Sequence, residues 1–329
     1  MQPCHDDPDA DSQPVTTPKT DPAAAPARPA APIRRALDSR AIALMLMLCV
    51  VWGIQQVVMK SVAADVAPIM QLAIRFGLAA LFFGPLVLFQ EGPRAFADGT
   101  LRSGLALGLC FSVEFVLLGQ ALVHTTAAHA VVFLYSAPIF TALGLQFLPE
   151  ERLSPGQWCG IGVAFAGIAL AFLGYSGRPA LELLTGDLLA LLGGAAWGAT
   201  NVVLRRGRIG SASTAKTVLY QVTTATLILY AYAAYTGQAG LVMSQRAILA
   251  LLFQTVFIAI GSYLVWFWML RRYLTSRLML MSLLTPLFGV VFGAVLLGDP
   301  LDARFGLGAL LVLTGILIVN ARMIFSRRA

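Results

Sequence analysis

The sequence predicts an all-α polytopic membrane protein: ten transmembrane helices as two inverted five-helix repeats, with both termini cytoplasmic. Three observations carry this prediction: the scarcity of charge, the spacing of the apolar runs, and a pattern that occurs twice. Of 329 residues, 58% are hydrophobic and only 12% charged, with a mean hydropathy of +0.78. A soluble domain carries about 25% charged residues. The net charge of +7 is gathered in short clusters between apolar runs, as in cytoplasmic loops rather than a nucleic-acid face.

Residues 1–39 differ from the rest. They hold eight of the seventeen prolines and six aspartates, and no sustained apolar stretch. Such a segment buries too little surface to offset its ordering entropy, so it reads as a disordered tail. It also lacks the apolar core and small-residue cleavage site of a signal peptide. From Arg40 onward, ten runs approach the roughly 20 apolar residues that a helix needs to cross a bilayer. They are 41–60, 68–90, 102–122, 126–148, 155–175, 186–204, 214–236, 247–270, 276–297 and 303–325, joined by short links such as Glu91-Gly92-Pro93-Arg94 and Gly298-Asp299-Pro300.

Orientation follows from arginine and lysine. With both termini inside, sixteen basic residues face the cytoplasm and four (Lys60, Arg178, Arg246, Arg304) face outward. This positive-inside bias implies a multi-pass membrane protein with both ends in the cytoplasm.

The internal repeat decides the architecture. Trp52-Gly53-Ile54-Gln55-Gln56-Val57-Val58-Met59-Lys60 aligns with Trp197-Gly198-Ala199-Thr200-Asn201-Val202-Val203-Leu204-Arg205 at an offset of 145. Pro138-Ile139-Phe140, Gly160 and Gly167-Ile168 align with Pro286-Leu287-Phe288, Gly308 and Gly315-Ile316 at an offset of 148. Runs 1, 4 and 5 thus match runs 6, 9 and 10, giving repeats over 40–176 and 177–329. Five crossings are odd in number, so the second repeat enters the membrane inverted. Inverted repeats are a plan of secondary transporters, with the substrate site near the midplane between the halves.

From about 41 to 325, these residues resemble the drug/metabolite transporter superfamily, specifically the two-repeat EamA-type exporters. The resemblance rests on the two Trp-Gly pairs, Arg75-Phe76, Ala137-Pro138-Ile139-Phe140 through Glu151-Arg152-Leu153-Ser154 to Gly160 and Gly167, and the second-half counterparts Thr285-Pro286-Leu287-Phe288 through Gly298-Asp299-Pro300-Leu301 to Gly308 and Gly315. Leu148-Pro149-Glu150 and Gly298-Asp299 depart from the usual Gly-Glu of such loops, which leaves the subfamily open. The resemblance implies export of small metabolites, amino acids or drugs across the inner membrane.

Polar side chains inside apolar runs are expensive and face the interior. Arg75 and Glu114 lie at similar depth on runs 2 and 3, either paired or sharing a central cavity; a static salt bridge is the structural alternative. Glu114 is the candidate proton carrier. Gln55 and Gln56 correspond to Thr200 and Asn201, as cavity amides or as helix–helix hydrogen bonds. Trp52 and Trp197, with Tyr135, Tyr263 and Trp266, offer ring surface to an amphipathic solute, or serve as packing. Pro138 and Pro286, at matching places, read as mid-helix hinges. His124 and His129 read as interfacial polar residues at an outer turn, and Gly104, Gly108, Gly160, Gly167, Gly289 and Gly293 as packing positions.

Neither a metal site nor a disulfide framework is indicated by Cys4, Cys49, Cys110 and Cys159. No GxSxG, P-loop or carboxylate cluster marks a catalytic centre, so no cofactor and no enzymatic activity are expected. The expected partners are a small-molecule substrate, the lipid bilayer and, as candidate coupling ion, the proton. A passive facilitator or importer remains the transport alternative, and a membrane enzyme or sensor the one from another class.

Overall fold

The computed structural model describes residues 38–146, 154–172, 180–206, 209, 212–273, 278, 281–282, 284–299, 301 and 303–325. The tail at 1–37 and the departures at Leu148-Pro149-Glu150 and Pro300 lie outside them. The chain is helical: α1 Ser39–Ser61, α2 Pro68–Glu91, α3 Leu101–His124, α4 Ala127–Leu134, α5 Ala137–Leu145, α6 Pro155–Phe172, α7 Ala180–Arg206, α8 Thr214–Tyr235 and α9 Gln245–Phe253. A π-helical segment, Gln254–Ser262, joins α9 to α10 Tyr263–Arg272, followed by α11 Thr285–Leu297 and α12 Ala303–Phe325. Among the described residues there is no strand, only an isolated bridge between Val66 and Leu241. Five helical stretches are long and apolar enough to cross a membrane, with shorter apolar helices beside them.

Local chemistry sets the ends. Asp38 caps α1 by accepting from the Ala41 N–H at 2.7 Å, and Thr126 and Ser244 cap α4 and α9 in the same way. Pro68 opens α2, where its missing N–H costs nothing. Gly298 ends α11 in the left-handed region at φ 68°, which glycine adopts without a Cβ penalty.

The prolines correct one expectation. Neither Pro138 nor Pro286 lies mid-helix: each falls in the first turn of a new helix, α5 or α11. The fourth apolar run is broken at Tyr135-Ser136 between α4 and α5, because a proline ring collides with the carbonyl four residues back and the first turn is where it is tolerated.

Outward faces are apolar, as lipid requires. Phe89 is 91% exposed and Val295 74%, in a chain whose backbone groups are satisfied within helices. Packing between helices follows the repeat. A Cβ on Gly53 of α1 would stand 2.7 Å from Phe288 Cβ of α11, and one on Gly198 of α7 would stand 2.7 Å from Phe140 Cβ of α5. The last helix of each half does the same: Gly160 of α6 lies against the Gly315 carbonyl of α12, and Gly167 against that of Gly308. Gly104 and Gly108 admit Tyr220 and Thr224 of α8 onto α3. These glycines serve close helix contact, as their type implies.

Candidate functional site

Helices of both halves carry buried polar groups. Arg75 on α2 is 1% exposed, Glu114 on α3 is 4% and Gln56 on α1 is 3%. The Arg75 Nε and Nη1, Glu114 Oε2, Gln56 Oε1 and the hydroxyls of Thr255 and Thr285 have no hydrogen-bond partner in the protein. Arg75 and Glu114 do not form an ion pair, and each lies within electrostatic reach of the other. The Arg75 guanidinium lies 4.6 Å from the Phe76 ring and 5.4 Å from that of Phe115, flanked by aromatic rings rather than an anion.

Tyr263 is in electrostatic reach of both Arg75 and Glu114, and Tyr135 of Glu114, Tyr263 and the Thr285 hydroxyl. The break between α4 and α5 places Tyr135 here, as a cap residue and not as part of a helix face. Around these groups stand the indoles. The Trp52 Nε1–H donates to Ser262 Oγ at 2.9 Å, Trp266 packs edge-on against Trp52 at 5.5 Å, and Trp197 against Tyr135 at 5.3 Å. Of the sequence candidates, electrostatic reach links Arg75, Glu114, Tyr135 and Tyr263, and Trp197 packs on Tyr135; Trp52 and Trp266 pair with each other beside Ser262, and Gln56 is buried on α1. Gln55 is buried next to it on α1.

Asn201 differs from its mate. Its Nδ2–H donates to Thr141 Oγ1 of α5 at 3.1 Å, a helix–helix bond. At the 148-residue offset, Thr141 corresponds to Gly289, which has no hydroxyl. Gln56 thus has no matching hydroxyl at that place, and, separately, its Oε1 has no hydrogen-bond partner in the protein.

A family profile matches the chain twice, over residues 39–173 and 184–321. The chain belongs to the EamA-like transporter family. It is similar to a probable amino-acid metabolite efflux pump of Escherichia coli (strain K12), with 29% identity over 84% of this chain and 93% of the relative. A protein of the same description from Salmonella typhimurium has the same identity and coverage, and an uncharacterized transporter of Archaeoglobus fulgidus is 23% identical over 87% of the chain and 99% of its own length. A solved crystal structure superposes with a TM-score of 0.60 at 18% identity, covering 88% of this chain and 98% of that one; it speaks for the fold alone.

In this EamA-like transporter, the end of the helices distal to Arg40 holds a second polar cluster that sequence reasoning missed. Asp187 at the start of α7 is fully buried; it meets His129 Nδ1 at 2.7 Å and accepts from the Thr125 hydroxyl at 2.5 Å. Phe305 of α12 stacks on the His129 ring at 3.9 Å, and the Lys60 ammonium donates to the Leu122 and Thr125 carbonyls. His129 is thus buried and hydrogen-bonded to Asp187. The available signal was Asp187 itself, a carboxylate within an apolar run. At the opposite end, Lys216 of α8 is buried and donates to Asp98 at 2.6 Å and to the Ala95 carbonyl. This bond and those from Thr100 hold the Asp98 carboxyl well below the usual carboxylate range.

Proposed function

We propose that this chain is a ten-helix secondary transporter of the bacterial inner membrane, both termini cytoplasmic, with repeats over 40–176 and 177–329. It exports a small zwitterionic metabolite by alternating access, with the proton as coupling ion. One observation carries the reading: Arg75 and Glu114 are buried within electrostatic reach of each other, opposite in charge, and Arg75 Nε and Nη1 and Glu114 Oε2 have no hydrogen-bond partner in the protein. Burying an unpaired charge costs several kcal/mol, a cost that persists only where something else meets the charge. A carboxylate matches the fork of Arg75 and an ammonium matches Glu114. The amide of Gln56 and the hydroxyls of Tyr263 and Thr285 complete a polar wall, and Trp52, Trp197, Tyr135 and Trp266 supply an apolar one. The efflux description of the E. coli and Salmonella relatives supports the same substrate class.

Glu114 also suits proton coupling, because a proton converts it from acceptor to donor and removes the charge that attracts an ammonium. The paired glycine contacts favour rocking of one half against the other, and the breaks before Pro138 and Pro286 are candidate hinges. The test is flux in proteoliposomes of the purified chain, with neutral and aromatic amino acids and cationic dyes, with and without a proton gradient. Gradient-driven movement of the amino acids is expected. Flux indifferent to the gradient makes the protein a facilitator, and no flux of any compound by folded protein overturns the proposal.

A further inference from the structure

At the end of the molecule where α1 begins and α10 finishes, a groove of about 330 Å³ runs between the two helices, lined by Arg40, Leu44, Leu264, Val265 and Trp268. Its walls are apolar, apart from Arg40 at the rim. The Trp268 ring carries two cations: the guanidinium carbon of Arg40 lies 5.7 Å from its centroid and that of Arg272 lies 4.7 Å away. Both arginines are exposed, and among the described residues neither has a hydrogen-bond or ion-pair partner.

The neighbouring anion, Asp38, is engaged elsewhere. It accepts from the Ala41 N–H at 2.7 Å and from the Tyr273 hydroxyl at 3.0 Å. These bonds, with that to Ala41 first, hold its carboxyl below the ordinary value. It stays ionised in service of the helix end, leaving the two guanidiniums with their outward donors unused. A rim of two cations over an apolar slot, at the level where helices leave the bilayer, matches an amphiphile with an anionic head and an acyl tail. A zwitterionic lipid offers the same tail with a cancelling ammonium.

We infer that this groove is a binding site for an anionic phospholipid, its phosphate held by Arg40 and Arg272 above the Trp268 ring and an acyl chain laid along Leu44, Leu264 and Val265. The site is separate from the Arg75–Glu114 constellation, and only its assignment to the cytoplasmic leaflet rests on the proposed orientation. Trp268 acts as the floor that fixes both guanidiniums, since an arginine stacked on a ring loses less freedom on meeting a phosphate.

Native mass spectrometry of the full chain, released from nanodiscs of equal phosphatidylglycerol and phosphatidylcholine, tests this. At least one retained phosphatidylglycerol is expected, favoured about tenfold or more over phosphatidylcholine. R40Q/R272Q should erase the preference, R40K/R272K should keep most of it, and Leu264→Trp, which fills the slot and spares both charges, should weaken it. Arg102→Gln, an exposed arginine on α3, serves as control and should change nothing. If the double variant does not fold, Arg272→Gln and Leu264→Trp carry the test. Equal retention of the two lipids, or a preference unaltered in R40Q/R272Q or Arg272→Gln, would overturn the inference. Displacement of the lipid by millimolar inorganic phosphate would overturn it too, showing an anion site in place of a lipid site. Amino-acid flux is a separate readout, so failure here leaves the transport reading untouched.

Discussion

The two halves of the molecule agree where backbones touch and part company where charge is buried. Gly53 rests on Phe288 as Gly198 rests on Phe140, and Gly160 meets Gly315 as Gly167 meets Gly308. The framework is thus built twice from one recipe. The polar interior is not: Arg75 and Glu114 both belong to the first half, and the second-half run 247–270 contains no charged residue. Its helix also departs in geometry, since α3 is continuous while α9 and α10 are joined through nine π-helical residues. The glycine contacts are thus symmetric between the halves, and the buried Arg75 and Glu114 are not.

This contrast can be broken first at the glycines. A Cβ on Gly315 would lie 2.5 Å from the Ala164 nitrogen, and one on Gly167 would lie 2.6 Å from the Gly308 oxygen. Both obstacles are backbone and cannot swing aside. Gly315→Leu and Gly167→Leu should each destabilise the protein by about 1–3 kcal/mol or more, seen as earlier loss of the monodisperse peak on heating. Gly162→Leu, on the same α6 but with open space around it, should be nearly silent. Equal losses at all three would dissolve the contact argument.

The buried charges should act on transport rather than on folding. Arg75→Gln and Glu114→Gln are each expected to lower flux at least tenfold, worth about 1.4 kcal/mol, while leaving the melting profile close to that of the parent. A collapse in melting temperature without a change in per-molecule flux would make the pair structural.

The matched amides sharpen the comparison. Gln56→Ala should impair flux, whereas Asn201→Ala should mainly remove the bond to Thr141, roughly 0.6 kcal/mol for such a contact in a membrane. Placing a hydroxyl opposite Gln56 is not open to Gly289, because a Cβ there would stand 2.7 Å from the Val131 side chain.

The smallest effect concerns Asp98 and Lys216. The Asp98 carboxyl titrates below its unfolded value of about 3.9, so its contribution to stability is present at neutral pH and fades as pH falls below about 4. Asp98→Asn should be slightly less stable than the parent at pH 7, and the difference should narrow as pH is lowered through that range. A gap that widens on acidification would reverse the assigned sign.

Much of the architecture was legible because lipid imposes simple rules. Apolar run length and the doubled Trp-Gly and Pro-x-Phe patterns each reflect one physical demand. Arg75, Glu114 and Gln56 stood out for the same reason, as costly groups in apolar surroundings. What stayed hidden depends on geometry across the chain. Ser262 gains its role only by meeting Trp52, 210 residues away, and Asp187 by meeting His129. The break before Pro138 was misread as a bend, because a proline announces a lost hydrogen bond but not on which side the helix restarts.

The most direct test is competition for amino-acid flux in proteoliposomes by three analogues of one side chain: the amino acid, its amine lacking the carboxylate, and its acid lacking the ammonium. The parent protein should be inhibited strongly by the amino acid alone. Arg75→Gln should lose its discrimination against the amine, and Glu114→Gln against the acid. If both variants keep the parent's selectivity among the three, then Arg75 and Glu114 do not read the two ends of a zwitterion, and the site's assignment fails.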